Sequence, residues 1–334
     1  MLSFIVRRVF QLLFVVWGAV TLVFFLYFLL PGDAAEILAG GDNRAVSETV
    51  VTNTRNKLGL DRPVIVQYGK YLKSIVTFDF GKSFKDGREV SEIIKERAPA
   101  SLRLAVWAIM LEASVGISLG ILSAKRKNSV ADTVTTITAA VASAIPVFVL
   151  GYAFQQVTGV YANNHDWPQW LRLPVQRIGP DEWYLWIIPS AEQFRYLVQP
   201  MIVLASVSTI IVARLTRTTM LEVGKAEYVR TARAKGLKEG VITRRHTLRN
   251  AMIPVITFIG IDFGTLITAA ILTETVFNWP GLGSKLVASA EGRDLPVLLA
   301  LTVVVVLVYG IVNLAVDISY AWFDPRVRLA GGER

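Results

Sequence analysis

The chain has 334 residues, of which 53% are hydrophobic and 18% charged, and its formal net charge is +9. This composition excludes an ordinary soluble domain and is typical of a protein with several membrane-spanning segments. Because the basic residues cluster between apolar runs, the positive charge indicates cytoplasmic loops rather than a nucleic-acid-binding surface. The sequence contains no cysteine, which excludes disulfides, thiol chemistry and cysteine-ligated metals.

Six apolar segments are predicted to cross the membrane, so the sequence predicts an all-α membrane protein. Arg7 and Arg8 precede the first segment and place the N-terminus in the cytoplasm, and the basic residues after Asp324 place the C-terminus there too. The third segment is predicted to be interrupted near Pro146. The segments cover residues 9–30, 100–124, 134–160, 196–213, 252–272 and 296–322.

These segments divide the chain into three regions. Residues 1–30 form an N-terminal tail with the first helix, residues 31–99 an external loop region, and residues 100–334 a core of five helices. A second external loop, 161–195, contains four tryptophans, which favour an interfacial belt over a docking surface. Gly81-Lys82-Ser83 does not end a phosphate-binding loop, because the motif needs a glycine at position 76, which is valine.

A polar, basic stretch at residues 222–254 separates two of the apolar segments. Its first half is predicted to be a short helix that ends at Gly236 in a left-handed conformation. A second short helix is expected to follow, until Pro254 starts the next membrane segment.

Small side chains recur at helical spacing in this stretch, at Ala226, Val229, Ala232 and Gly236. Such a stripe would let the backbone of another protein approach closely, while Arg230 and Arg233 would pair with its acidic rim. A basic amphipathic segment lying on anionic lipid is the alternative interpretation.

The stretch resembles the cytoplasmic EAA loop of ABC-importer permeases, in the dipeptide and oligopeptide branch. The resemblance is carried by residues 228–237 (YVRTARAKGL) and 249–254 (RNAMIP). The general family has a Glu six positions before the glycine, where this chain has Arg230. The general family also has a shorter gap than the one between Gly236 and Pro254. Both departures match the peptide branch. The resemblance implies ATPase-coupling roles for Ala226, Tyr228, Val229, Arg230, Thr231, Ala232, Arg233, Ala234, Lys235, Gly236 and Pro254.

The resemblance covers essentially the whole chain and implies a type I ABC importer permease with six transmembrane helices. Such a subunit moves dipeptides or oligopeptides across a bacterial or archaeal cytoplasmic membrane. It works with a homologous second permease, two cytoplasmic ATPase subunits that hold ATP and Mg²⁺, an external substrate-binding protein and membrane lipid. The resemblance implies that this chain itself has no cofactor and no catalytic residue, and that it binds no nucleic acid.

Two other functions remain open at this stage. Nickel and glutathione importers have permeases of the same type, and the sequence does not separate their substrates from peptides. A secondary transporter would typically show inverted repeats, and none is visible.

Three carboxylates, Glu112, Asp262 and Asp317, fall inside apolar segments, where a charge is costly unless it faces protein or water. They are candidates for the translocation pathway, where they would contact a peptide ammonium. Alternatively, they pair with a helix end, an arginine or a partner subunit, and Asp317 favours this role because it is close to the cytoplasmic end. The spacing predicts no pair of carboxylates and no metal site.

Two glycine pairs with GxxxG spacing, Gly116 with Gly120 and Gly260 with Gly264, predict close helix crossings. Packing within the subunit is the favoured interpretation, and packing across a dimer is the alternative.

Overall fold

The computed structural model describes residues 2–29, 52, 62–175 and 179–323. Within these residues the regular secondary structure is helical apart from one short hairpin, in which β1 (Trp183–Tyr184) pairs antiparallel with β2 (Ile188–Pro189), and one isolated bridge. The predicted all-α class is confirmed. In chain order the helices are α1 (Leu2–Leu29), α2 (Val64–Thr77), α3 (Val90–Lys125), α4 (Val130–Ala144), α5 (Val147–Gln155), α6 (Ala162–Asn164), α7 (Ala191–Val223), α8 (Glu227–Ala234), α9 (Glu239–Val241), α10 (Arg249–Phe277), α11 (Leu282–Glu291) and α12 (Leu295–Phe323), with π-helical turns at Gln156–Tyr161 and Ile242–Leu248.

In the part of the chain that the structure describes, five helices are long and apolar enough to cross a membrane. They are α1, α3, α7, α10 with the residues that lead into it, and α12, and they match five of the six predicted segments. The other segment is divided into α4 and α5 by Ile145 and Pro146, as predicted. Ile145 is extended there (ψ 125°), because the ring of the following proline disfavours helical geometry.

Several boundaries differ from the predictions; α7, for example, ends at Val223 rather than near Ala213. Helix α3 begins at Val90 rather than near Ala100, because its charged outer turns continue the helix beyond the apolar segment. Pro254 was predicted to start a membrane segment, and this is wrong: it lies inside α10, which continues from α9 through the π-helical turn. Pro254 removes only one backbone donor, and membrane helices tolerate such a loss.

Helices α3 and α7 run side by side at the centre of the fold. Gly116 and Gly120 make this possible, because a Cβ at Gly120 would lie 2.4 Å from Cβ of Thr216 and 2.6 Å from the carbonyl oxygen of Ala213. The second glycine pair packs in the same way against α12, where a Cβ at Gly264 would lie 2.8 Å from the side-chain oxygen of Asn313. Both glycine pairs therefore serve close packing within the chain, as favoured from the sequence.

Glu274 anchors the predicted external end of the fold although it is buried. Its carboxylate accepts hydrogen bonds from the hydroxyl of Ser101 (2.5 Å) and from the backbone N–H groups of Gly283 (2.7 Å) and Ser284 (3.1 Å). These contacts join α10 to α3 and to the start of α11, so the external turn is fixed to the core.

Asp294 makes a similar link just before α12. It accepts hydrogen bonds from the hydroxyl of Ser83 (2.5 Å) and the backbone N–H of Phe84 (3.1 Å). Lys285 of α11 also binds Asp86 at 2.6 Å. The part of the external region that follows α2 is therefore attached to the last two helices.

Candidate coupling surface and buried carboxylates

Helix α8 ends where the sequence predicts, at a left-handed glycine. Gly236 has a φ of +75°, its N–H donates to the carbonyl of Arg233 at 2.9 Å, and the N–H of Leu237 donates to the carbonyl of Ala232 at 3.3 Å. This pair of hydrogen bonds is the Schellman arrangement, which satisfies carbonyl groups at a helix end. The predicted conformation of Gly236 is confirmed.

The small-residue stripe of α8 faces the chain itself. Val229 is fully buried and Ala232 nearly so, and both pack with Ile242 of the second π-helical turn, with Ala226 alongside. For Val229 and Ala232 the expectation of contact with another protein's backbone is therefore wrong, because the chain folds back after Gly236 and covers these residues, whereas Gly236 stays exposed. The predicted coupling residues left exposed on α8 and its end are Tyr228, Arg230, Thr231, Arg233, Ala234, Lys235 and Gly236.

The two arginines of α8 pair within the loop rather than remaining free for an acidic rim. Arg230 binds Glu227 at 2.8 Å, and both side chains are exposed. Arg233 binds Glu239 at 2.7 Å and donates to the carbonyl of Gly224 at 3.3 Å, so it ties both flanks of the helix together. The spacing of Glu227 and Arg230 could have indicated the first pair, whereas Glu239 meets Arg233 only because the chain turns back.

An open basic groove of about 800 Å³ lies beside α8. It is lined by Lys238, Arg244, Arg245 and Arg249, which are exposed and, in the described chain, make no ion pair. Such a surface suits an acidic protein surface or anionic lipid headgroups.

A charged network near this loop joins α3, α4 and α7. Asp132 accepts hydrogen bonds from Arg217 (2.6 and 2.8 Å), from the hydroxyl of Ser123 and from the backbone N–H of Asn128 (2.9 Å). These hydrogen bonds, foremost that from Arg217, hold the pKa of the Asp132 carboxyl below its usual range. The sequence identified this region only as cytoplasmic and missed the network.

Two of the three predicted intramembrane carboxylates meet in the interior. Glu112 of α3 is fully buried and Asp262 of α10 is 8% exposed, and each lies one helical turn from the apolar cluster that contains Ala108 of α3 and Leu266 of α10. The expectation that no carboxylates pair is therefore wrong. The partners are 150 positions apart on different helices, and helical periodicity does not show which faces of two helices meet.

Asp317, the third carboxylate, lies apart from this pair near the C-terminal end of α12. It forms a salt bridge of 3.2 Å with Arg8 of α1. The two residues border a groove of about 450 Å³ between these helices. This is the pairing with an arginine that was expected for a structural role.

The family of this chain follows from comparison with known proteins. The family described as "Binding-protein-dependent transport system inner membrane component" matches residues 116–329, and its N-terminal companion family matches residues 1–105. The chain belongs to this family of multi-pass inner-membrane permeases of ABC transport systems.

Several curated relatives align over nearly the whole length of both chains. The "Probable D,D-dipeptide transport system permease protein" of Escherichia coli (strain K12) is 39% identical and the alignment covers 99% of each chain. The "Dipeptide transport system permease protein" of Alkalihalophilus pseudofirmus is 34% identical, with 98% of this chain and 100% of the relative covered. The "Glutathione transport system permease protein" of Salmonella choleraesuis is 36% identical, with coverages of 98% and 99%.

A solved structure of an amino acid ABC transporter with histidines shows a lower similarity. It covers 71% of this chain and 94% of the other chain, with a TM-score of 0.47 and 14% sequence identity. A similarity at this level says nothing about the function of this chain.

Proposed function

We propose that this chain is a permease subunit of an ABC importer whose substrates are dipeptides or oligopeptides. The full-length similarity to permeases of dipeptide and glutathione transport systems supports this substrate class, since glutathione is itself a small peptide. Nickel is the alternative that the sequence left open, and none of the relatives described above is a nickel permease.

The partners follow from the same proposal. Two ATPase subunits with ATP and Mg²⁺ contact the exposed face of α8 on the cytoplasmic side, and this chain itself hydrolyses nothing. A second, homologous permease completes the pathway in the lipid bilayer, and a substrate-binding protein docks on the external loops. Both chain ends lie in the cytoplasm of a bacterium or archaeon, as the basic residues around the first and last helices suggest.

The mechanism of this subunit is alternating access. The ATPase dimer closes on ATP and moves α8, and the helices connected to it switch the pathway between inward-facing and outward-facing states. ATP can drive this switch only if the ATPases bind α8 differently in the two states. The short, capped α8, held to its flanks by Arg233, supports this role because it can move as one rigid element.

Reconstitution tests the substrate class and the energy source together. The chain is assembled with its cognate permease, ATPases and binding protein in liposomes, and uptake of a labelled dipeptide is measured with and without ATP. We expect uptake of the labelled dipeptide to depend on ATP. Unlabelled dipeptides should inhibit this uptake by competition, glutathione should inhibit it less, and Ni²⁺ should have no effect. Uptake that persists without the ATPases, or competition by Ni²⁺ alone, would contradict the proposal.

A further inference from the structure

Two carboxyl groups meet in the interior where α3, α7 and α10 pack together. Glu112 lies four residues after Ala108, and Asp262 lies four residues before Leu266; Ala108 and Leu266 belong to one apolar cluster that also includes residues of α7. Positions four apart share a helix face, so both carboxyl groups lie one turn to the cytoplasmic side of that cluster.

The pair is enclosed and short of hydrogen-bond partners. Glu112 has no exposed surface, and neither of its carboxylate oxygens accepts a hydrogen bond from the described residues. Oδ2 of Asp262 is buried and without a partner in the same sense. Two negative charges placed side by side there would repel each other with no water to screen them.

The surrounding helices supply no counter-charge in the part of the chain that the structure describes, and Asp262 is the charged group that acts on Glu112. Arg217 of α7 binds Asp132 of α4, Lys285 of α11 binds Asp86, and Asp317 of α12 binds Arg8. Other charged residues of these helices also lie away from the pair: Glu274 is near the C-terminal end of α10, Arg214 of α7 is exposed, and Arg103 of α3 binds Asp181.

We propose that Glu112 and Asp262 form a proton-binding site, in which one proton shared between the two carboxyl groups joins α3 to α10. The protonated carboxyl donates a hydrogen bond to the ionised one, and this leaves a single negative charge in place of two. Hydrogen bonds between an acid and a carboxylate are short and strong. A conformation that separates α3 from α10 must break this bond, so release or uptake of a proton accompanies the separation.

Infrared spectroscopy detects such a proton without relying on transport. The full chain, assembled with its partner subunits in membranes, is compared at neutral pH with the double variant Glu112→Gln/Asp262→Asn. We expect the unmodified protein to show the carbonyl stretching band of a protonated carboxyl group, and the double variant to lose it. Asp317→Asn is the matched control: its carboxylate forms a salt bridge with Arg8, away from the pair, so the substitution should leave the band in place.

The single variants keep the test decisive if the double variant does not assemble. In Glu112→Gln or Asp262→Asn, the new amide donates to the remaining carboxylate, so each variant should also lose the band. An unmodified protein that shows no such band at neutral pH overturns the proposal. Loss of the band on adding Na⁺ or K⁺ at constant pH would overturn the proposal and indicate a metal-cation site. Loss of the band on adding a dipeptide would overturn it and indicate a site for the peptide ammonium group.

Discussion

Gly236 combines a left-handed backbone with open space around its α-carbon. Its φ is +75°, and a Cβ built there meets no atom within 4 Å. In Gly236→Ala the side chain therefore costs about 1 kcal/mol of backbone strain without a clash. Because this strain loosens the end of α8, we expect less co-purification of the ATPases and several-fold slower ATP-dependent uptake, while substrate capture by the external binding protein is unchanged.

Gly240→Ala is the matched control for this prediction. Gly240 also has open space around it, but its φ is not in the left-handed region. The same methyl group should therefore leave ATPase binding and uptake near normal. Equal losses in both variants would show that added bulk, rather than backbone conformation, matters; no loss in either would remove the end of α8 from the coupling mechanism.

At the residue scale, the sequence predicts features that depend on neighbouring residues and misses those that depend on which helix faces meet. The left-handed Gly236 follows from the local sequence, since only glycine adopts that conformation cheaply. The pairing of Glu112 with Asp262 and the burial of Val229 against Ile242 depend on tertiary packing. A single sequence carries no signal for either contact.

Helices α3 and α7 form the most extensive contact between the described elements, and Gly120 tests it. In Gly120→Ala the new Cβ would overlap Cβ of Thr216 and the backbone of Ala213, so the helices must move apart. Overpacking of this kind costs about 1–3 kcal/mol. We expect a lower thermal midpoint in detergent and less assembled complex, measured by size-exclusion chromatography after heating.

Gly18→Ala in α1 is the control for this substitution. A Cβ at Gly18 meets no atom within 4 Å, and alanine is the better helix former. We expect Gly18→Ala to be as stable as the unmodified chain. If Gly120→Ala were equally stable, the close approach of α3 to α7 would be contradicted.

The Asp132 network, which joins α3, α4 and α7, predicts a pH dependence of stability. The pKa of Asp132 is lower in the folded protein than in the unfolded chain, where it is about 3.9. The ionised carboxylate therefore contributes its full stabilisation of the fold above that pH, and this contribution is lost as the pH falls through the folded pKa. Asp132→Asn should therefore lower the thermal midpoint at pH 7. The difference from the unmodified protein should shrink as the pH falls below about 4.

Asp181 provides a control for this pH dependence. It binds Arg103 at 3.3 Å on the predicted external side, but its side chain is 76% exposed. Exposed ion pairs contribute little, so Asp181→Asn should change the midpoint far less at pH 7. Similar shifts for Asp132→Asn and Asp181→Asn would contradict the importance of the buried network.

At the element scale, hydropathy identifies the membrane helices well and their ends poorly. The apolar core of α12 extends to both helix ends, and the prediction is accurate to about one residue at each end. Helix α3 begins ten residues before the predicted start, because a helix needs no apolar residues outside the membrane. Pro146 breaks its segment whereas Pro254 does not, and proline alone does not distinguish the two cases.

In the molecule as a whole, buried carboxylates link the helices at both ends of a tightly packed helical core. Glu274 and Asp294 attach the turns on the predicted external side to α3, α10 and α12, and Asp132 joins the helices at the predicted cytoplasmic end. Between them, Gly116 and Gly120 hold α3 against α7. A movement imposed at α8 should therefore be passed to whole helices rather than absorbed by a soft loop.

Site-specific cross-linking tests the central claim, that the exposed face of α8 is where ATPase subunits bind. The chain has no cysteine, so a single one can be placed at Ala234, which is exposed, or at Glu182 on the predicted external side as the control. In membranes containing the assembled transporter, a short bifunctional reagent should link Ala234→Cys to an ATPase subunit, with a yield that changes when ATP is trapped, and should not link Glu182→Cys. An assembled, active transporter in which Ala234→Cys forms no ATPase cross-link, or in which Glu182→Cys forms one, would contradict the account.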